Sequence, residues 1–157
     1  MLNHVELDPT FALEQQFADT SDEPTILVNL FDVDPEDRED FIAAWKQDAE
    51  FFCAQPGCLS AQLHQGIEGS RMFLNYALFE CTAAFAATTR QPEFGPLRAV
   101  YPNSATAHPH LFRRVHVPGI CVGEADGRVE ARTKKPRSGL KHIELDPTFP
   151  LMEQYTD

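Results

Sequence analysis

The sequence predicts an α+β fold with the element order β-α-β-β-α-β. Two observations between Pro24 and Val117 support it: four short runs have strand composition or a two-residue period, and two segments have helical spacing with helix-start signals. Right-handed crossovers arrange such strands as one antiparallel sheet with both helices on one face, the ferredoxin-like arrangement. At 157 residues the chain can form one such core and keep segments outside it.

A change of composition marks the first strand and the first helix. The β-rich run TILVNLF (Thr25–Phe31) precedes Asp34, a suitable N-cap, and Pro35, a suitable first helical residue. The helix ends at QPG (Gln55–Gly57). Its inward face is predicted from six residues at helical spacing, of which all but one are apolar: Phe41, Ala44, Trp45, Asp48, Ala49 and Phe52.

Two further strands follow around a turn at Gly66–Ser70. CLSAQLHQ (Cys58–Gln65) alternates apolar and polar residues, as a strand with one buried face does. RMFLNYALFE (Arg71–Glu80) is apolar on both faces, which predicts cover on both sides of the sheet. A second copy packed face to face through two-fold symmetry would supply that cover, so we expect a homodimer.

The second half of the domain is predicted from caps and prolines. Thr82 can cap the Ala-rich helix Ala83–Arg90, and Pro92 can start a further helical piece. The last strand is predicted at HLFRRVHV (His110–Val117). The tripeptide HPH (His108–His110) is then expected in a loop turn rather than at a metal, since no Asp, Glu or Cys lies near it in sequence.

Nearly the same peptide stands at both ends of the chain. Leu2–Asp19 and Leu140–Asp157 are identical at eleven of eighteen aligned positions, including ELDPTF in both. The expected organisation is an acidic arm at residues 1–23, a barrel domain at 24–118, a flexible basic linker at 119–139 and a second arm at 140–157.

Two interpretations of the end peptides stay open. Each combines acidic residues, a Pro-initiated turn and Phe, Leu and Phe or Tyr anchors, which is typical of a short docking motif for another protein or a neighbouring subunit. Equally, each peptide could pack on its own barrel and cover apolar surface. In the first case a dimer would carry four copies and gain avidity for its partner.

Composition excludes several classes of partner. A net charge of −11 argues against nucleic acid, and no run approaches the length of a membrane span. No N-terminal pattern indicates a secretory signal. Four cysteines without metal-ligand spacing or export context predict reduced thiols in a cytoplasmic protein.

The region Pro24–Val117 resembles the antibiotic biosynthesis monooxygenase family of dimeric α+β barrels. The resemblance rests on ILVNLFDV before an acidic helix with FIAAW, on QPGCLSAQLHQ, on FLNYALFE before an Ala-rich helix, and on PEF afterwards. It implies a homodimer with a cavity between sheet and helices in each subunit. The end peptides lie outside the resemblance.

The resemblance also implies chemistry that needs neither flavin nor metal, because an electron-rich phenol reduces dioxygen itself. The family's substrate-holding Asn, Arg and His fall on Asn75, Arg98 and His64. Its Trp and Tyr fall on Phe79 and Phe85, which have lost the polar atom. In the haem-degrading relatives an Asn corresponds to Asn29, but their iron-ligating His falls on Thr89, which weakens a haem interpretation.

The predicted site is an apolar, aromatic pocket with amide groups, suited to a planar polyaromatic ligand. Each Asn either serves such a ligand or bonds across neighbouring strands. We predict no metal and no cofactor. The catalytic residues are predicted to be Asn75, Arg98 and His64, and the substrate-binding residues Asn29, Phe31, Phe73, Phe79, Phe85 and Trp45.

The function predicted on this basis is cofactor-independent oxidation of a polycyclic, polyketide-like phenol by dioxygen in secondary metabolism. One alternative is a non-redox cyclase or isomerase on the same scaffold, which the Phe residues at positions 79 and 85 favour. Another is an accessory dimer that presents the duplicated peptides for docking.

Overall fold

The computed structural model describes residues 1–121 of the chain. Residues 122–157, which hold most of the predicted linker and the whole second peptide, lie outside the described residues. The strands are β1 (Asn3–His4), β2 (Thr25–Asp32), β3 (Cys58–Gln65), β4 (Met72–Phe79) and β5 (Thr106–Phe112). The helices are α1 (Leu13–Gln16), α2 (Arg38–Cys53), α3 (Thr82–Thr89) and α4 (Phe94–Val100), with a 3₁₀ turn at Pro35–Asp37 before α2.

The sheet has the strand order β1-β5-β2-β4-β3. Strands β2, β3, β4 and β5 pair antiparallel, and this confirms the predicted ferredoxin-like α+β fold. β1 is an addition that the element pattern did not predict: it pairs parallel to β5, with Asn3 opposite Thr106. The first arm therefore belongs to the same compact unit as the barrel, Met1–Val115.

A second unit begins at His116, and residues 116–121 of it are described. They form a turn in which the backbone N–H groups of Ile120 and Cys121 donate to the carbonyl oxygen of Val117.

The strand alternation places one face of the sheet against the helices. Phe31 of β2 and Phe73 of β4 pack with Phe41 of α2 in one buried cluster. Leu27, Ala77 and Phe79 pack with Phe85 of α3 in another. Odd-numbered residues of β2 and β4 therefore form the inner face, which positions the cavity described below.

The prediction for the last strand was wrong. β5 spans Thr106–Phe112, so HPH lies inside the strand and not in a loop before it. Pro109 stands opposite Asn29 of β2. A proline is tolerated there because β1 covers β5 only at Thr106 and Ala107, so beyond them β5 is an edge strand that needs no outward donor at position 109.

The predicted cap of the second helix was also wrong. Thr82 is the first residue of α3, and Cys81 is the N-cap. The Thr82 hydroxyl is buried and bonds instead with the Thr25 hydroxyl at 2.8 Å and with Asp19 Oδ2 at 2.7 Å. A tertiary contact has replaced the local one.

The outer face of the sheet is apolar in its centre. Its residues are half-buried by their neighbours or exposed: Ile26, Val28, Leu30, Met72, Leu74, Tyr76, Leu78 and Phe112. The helices pack on the opposite face.

Candidate functional site

A cavity of about 750 Å³ lies between the inner face of the sheet and the helices. β2 and β4 supply its floor, and α2, α3 and α4 supply its walls. The floor residues are Leu27, Asn29, Phe31, Asn75, Ala77 and Phe79. The volume is of the size that holds a polycyclic organic molecule.

Two amides face each other in the floor. Asn29 and Asn75 stand directly opposite in the antiparallel register of β2 and β4. Among the described residues, no donor reaches the buried Oδ1 atom of either side chain. An unmet buried acceptor costs about 1–3 kcal/mol, so this pair suits a ligand that brings hydroxyl groups.

A carboxylate from α2 completes a set of three free oxygens. Asp48 lines the cavity, and its buried Oδ1 also has no donor among the described residues. Its Oδ2 accepts a hydrogen bond from the Tyr101 hydroxyl at 2.9 Å. Burial raises the pKa of Asp48 to about 6, against the opposing effects of the Tyr101 hydrogen bond and the Arg98 charge. A carboxyl group with that pKa can accept a proton near neutrality.

The same contact keeps Tyr101 protonated. Burial and then the neighbouring Asp48 charge raise the pKa of this phenol above its ordinary value. Tyr101 therefore acts as a fixed donor that orients the carboxylate and does not itself exchange a proton.

Two arginines lie at the cavity wall. Arg98 on α4 is half-buried, with its guanidinium carbon 5.9 Å from the centre of the Phe94 ring. Arg90, just beyond α3, lies 5.9 Å from the ring centre of Phe17. Either cation could stabilise an anionic form of a bound molecule.

Aromatic rings enclose the rest of the volume. Phe85 contacts Phe79 with ring centres 5.1 Å apart and Phe52 with ring centres 5.9 Å apart. Phe94 contacts Phe52 edge-on, at 5.5 Å. Rings in such arrangements present both faces and edges, which favours a planar aromatic ligand.

The N-terminal arm forms the remaining wall. Its cavity residues are Leu2, His4, Glu6, Leu13, Glu14 and Phe17. His4 Nε2 lies 3.0 Å from Glu6 Oε1, and the other Glu6 oxygen accepts from the backbone N–H of Leu13. The Phe17 ring packs edge-on against Phe85 at 5.8 Å.

The structure brings most of the predicted site residues together. The seven that line the cavity are Asn29, Phe31, Trp45, Asn75, Phe79, Phe85 and Arg98. Phe73 does not line it, because it is buried against Phe41 with ring centres 4.7 Å apart. His64 is exposed on the outer face of β3, opposite Leu74.

Sequence reasoning missed Asp48 and Arg90, and it left open whether the arm packs on its own barrel or docks elsewhere. A signal for Asp48 was present, because it was the one polar residue on the apolar face of its helix. Thr89, at the position where the haem-degrading relatives have their iron ligand, lines the cavity and donates to the carbonyl oxygen of Ala86.

Two structural observations concern other kinds of site. Within residues 1–121, no three His, Cys, Asp or Glu side chains come together as metal ligands. In the same range, no helix has both the length and the apolar composition of a membrane span.

Comparison with known proteins finds a family model that matches the central region. Residues 24–99 match the model described as antibiotic biosynthesis monooxygenase. No curated protein matches the chain.

Solved structures share the fold. SnoaB, a cofactor-independent oxygenase from Streptomyces nogalater, is 24% identical with a TM-score of 0.57, and the match covers 62% of this chain and 98% of that one. A candidate monooxygenase from Shewanella loihica PV-4 is 29% identical with a TM-score of 0.51, covering 60% and 97% of the two chains. A conserved protein from Methanosarcina mazei Go1 is 16% identical with a TM-score of 0.52, covering 60% and 95%.

Proposed function

We propose that the antibiotic biosynthesis monooxygenase domain formed by residues 24–99 oxidises a polycyclic phenol with dioxygen and without a cofactor. One observation carries the proposal: three oxygens that no described donor reaches, on Asn29, Asn75 and Asp48, belong to one cavity with aromatic walls. A phenol with several hydroxyl groups offers the donors that these oxygens lack. The likeness to SnoaB supports the fold of such an enzyme.

In the proposed mechanism Asp48 is the general base. Its carboxylate takes the proton of a substrate hydroxyl, while Asn29 and Asn75 accept hydrogen bonds from others and orient the ring system. The positive charge of Arg98 stabilises the phenolate that forms. Ionisation makes the ring system electron-rich enough to give an electron to dioxygen.

The electrons and atoms balance without a further reductant. In the enol tautomer of the substrate, whose hydroxyl proton Asp48 takes, the reacting ring carbon carries one hydrogen. The ionised enol passes one electron to dioxygen, and the radical pair combines to a peroxide anion at that carbon, which takes the proton back from Asp48. Loss of the remaining hydrogen as a proton then breaks the O–O bond, so that one oxygen stays as a quinone carbonyl and the other leaves as hydroxide, which the proton converts to water. The aromatic walls limit the access of bulk water to this intermediate.

Oxygen uptake by the full-length protein with 1,8-dihydroxyanthrone tests the proposal. Asp48→Asn should lower the enzyme-dependent uptake by about 10²-fold, the usual contribution of a general base, with the uncatalysed rate subtracted. Glu50→Gln, an exposed position on the same helix, is the control and should keep wild-type uptake. Equal uptake in the two variants would remove Asp48 from the mechanism, and no uptake above background with several such phenols would remove the oxygenase proposal.

A second candidate function is a non-redox cyclase or isomerase. Phe79 and Phe85 favour it, because these walls carry no polar atom to direct an oxygenation intermediate. Product formation under strict anaerobiosis separates the two functions, since only the cyclase would still turn over.

We further propose that the protein is a cytoplasmic homodimer. The apolar outer face supports the dimer, because two such faces packed together would bury Tyr76 and its apolar neighbours. Cys53, Cys58 and Cys81 form no disulfide within the described residues, and free thiols suit a reducing compartment. Tyr76→Lys should convert the dimer to a monomer in sedimentation velocity, whereas an unchanged sedimentation coefficient would place the interface elsewhere.

A further inference from the structure

The N-terminal arm occupies a defined seat on the barrel, which we call the arm seat. Its backbone part is the edge of β5 together with the end of α4. Leu2 N donates to Arg98 O, Asn3 N to Ala105 O and Val5 N to Ala107 O, each at 3.0 Å. The second and third bonds extend the sheet by one parallel strand, and none of the three needs a particular side chain on the arm.

Side chains fix the rest of the arm in the seat. Gln16 is only 7% exposed, and its Oε1 accepts from Leu111 N at 2.8 Å while its Nε2 donates to His110 Nδ1 at 2.9 Å. Its amide thus takes the place of a strand partner along the free edge of β5. Asp19 accepts from the Thr82 hydroxyl at 2.7 Å and pairs with Arg113.

Apolar contacts and an internal turn complete the fit. Leu13 and Phe17 pack against the buried cluster that contains Phe79 and Phe85. Asp8 Oδ1 accepts from both the backbone N–H and the hydroxyl of Thr10, at 2.8 and 2.6 Å, which folds the segment between the strand and the helix.

The peptide at the other end of the chain keeps the residues that make these contacts. Leu140, Asp146, Thr148, Leu151, Gln154 and Asp157 are identical to their counterparts, and Tyr155 replaces Phe17. Among the other differing positions, Asn3, Val5, Glu14, Gln15 and Ala18 are exposed in the first copy, and Ala12 is half-buried. The second peptide therefore keeps the side chains that hold the first copy in the seat.

We propose that residues 140–157 of a second copy of this chain can replace residues 2–19 in the arm seat. The 27 residues from Arg113 to Gly139 span up to about 90 Å when extended, against a domain diameter of roughly 35 Å, so the second peptide can reach a neighbouring molecule. The exchange does not depend on the reaction proposed above.

Replacement of the first peptide by the second would change the side chains that line the cavity. Glu14 and Phe17 line the cavity in the first copy, and their counterparts are Met152 and Tyr155. A cavity closed by the second copy would lose one carboxylate and gain a phenolic hydroxyl opposite Phe85. One barrel would then have two alternative walls with different ligand preferences.

Cross-linking of the full-length protein tests the exchange. With the four native cysteines replaced by Ser, Thr106→Cys is combined with Lys141→Cys, because Lys141 aligns with Asn3 and Asn3 stands opposite Thr106 in the β1–β5 register. A short bismaleimide should give a covalent dimer that carries the 106–141 link in peptide mass spectrometry. Asn3→Cys with Thr106→Cys is the positive control and should link within one chain.

Two matched changes make the result specific to the seat. Adding Gln16→Ala, which weakens the first copy, should raise the yield of the covalent dimer several-fold, and adding Gln154→Ala should abolish that gain. Moving the second cysteine from Lys141 to Glu153, which aligns with Gln15 outside β1, should lower the yield. Absence of the dimer in the Gln16→Ala background, a yield insensitive to Gln154, or a 106–141 link found only within one chain would each overturn the proposal.

Discussion

Aromatic residues occupy both ends of the inner sheet face, where they form a packed core at one end and the walls of the cavity at the other. At the closed end, Phe41 is 0% exposed and its ring lies 4.9 Å from that of Phe31 and 4.7 Å from that of Phe73. At the open end, Phe52, Phe85 and Phe94 leave the cavity between them. Rings fill the space at one end and enclose it at the other.

The difference lies in the polar atoms among the rings. At the closed end, the Tyr101 hydroxyl lies among the buried rings, and it donates a hydrogen bond to Asp48. The open end holds the three free oxygens of Asn29, Asn75 and Asp48. Buried acceptors without a donor lower the stability of the fold. Because all three lie at the open end, we infer that the open end serves ligand binding and that the closed end serves stability.

Truncation of one ring at each end should show the largest contrast. Phe41→Ala should lower the free energy of unfolding by about 3–5 kcal/mol, because the surrounding rings cannot collapse into the space. Phe94→Ala, at the cavity wall, should cost less than half of that, since the cavity only grows. Urea unfolding of both variants measures the difference, and equal losses would mean that the two ends do not differ in packing.

The pH dependence of stability tests the role of Asp48 at the junction of the two ends. Its folded pKa of about 6 lies above the ordinary 3.8, so its favourable contribution is present below about pH 4 and is lost as the pH rises through 6. Asp48→Asn keeps an acceptor for Tyr101 and avoids the buried charge. The variant should therefore exceed the wild type by up to about 3 kcal/mol at pH 8, the equivalent of the pKa shift.

Urea unfolding at pH 4 and at pH 8 measures this effect. The advantage of Asp48→Asn should be small at pH 4 and large at pH 8, while Glu50→Gln should show no such change. An advantage that is the same at both pH values would mean that the carboxyl group does not titrate in this range.

The closed end and the strands could be predicted from the sequence because their signals are local. The alternation in Cys58–Gln65 gave the bounds of β3 correctly, since a turn follows and one face is polar. The apolar spacing in α2 likewise identified Phe41 as a core residue. Seven of the nine predicted site residues line the cavity, and they were predicted from the family resemblance and from the apolar neighbours of the two Asn residues.

What escaped prediction depends on contacts distant in sequence. Pro109 suggested a loop, and only the short β1 explains why a strand can hold it. Asp48 was visible as a polar residue on an apolar face, but its pKa depends on burial and on Tyr101, 53 residues away. The repeated peptide was obvious, but its pairing with β5 through Gln16 has no local signal.

Removal of a free acceptor should have a smaller effect on stability than the changes at Phe41 and Asp48. Asn75→Leu should leave the free energy of unfolding unchanged or raise it by about 1 kcal/mol, because the buried Oδ1 without a described donor is lost. The same change should weaken binding of 1,8-dihydroxyanthrone by about tenfold, the equivalent of one hydrogen bond. Calorimetric unfolding and fluorescence titration measure the two effects.

Gln65→Ala, an exposed amide at the end of β3, is the matched control for this prediction. It should change neither quantity. If Asn75→Leu instead lowered stability by more than about 1 kcal/mol, the amide would be a structural bond between strands and the contrast between the two ends would fail.

The smallest expected effect concerns the arm that closes the open end. Arg113, followed by the Thr82 hydroxyl, holds the pKa of Asp19 at about 2, below the ordinary 3.8. The contribution of this carboxylate is therefore present above about pH 4 and is lost as the pH falls through 2. Asp19→Asn should loosen the arm at pH 7 and leave the closed end intact.

Hydrogen–deuterium exchange separates these two consequences. Amides of residues 2–5 and of Leu111 should exchange several-fold faster in Asp19→Asn, while those of α2 around Phe41 should keep their wild-type rate, because no contact of the closed end is altered. Asp22→Asn, an exposed acid on the same segment, should match the wild type throughout. Faster exchange in α2 as well would show that the arm and the closed end unfold as one unit. The arm could then not leave the cavity without disrupting the core around Phe41.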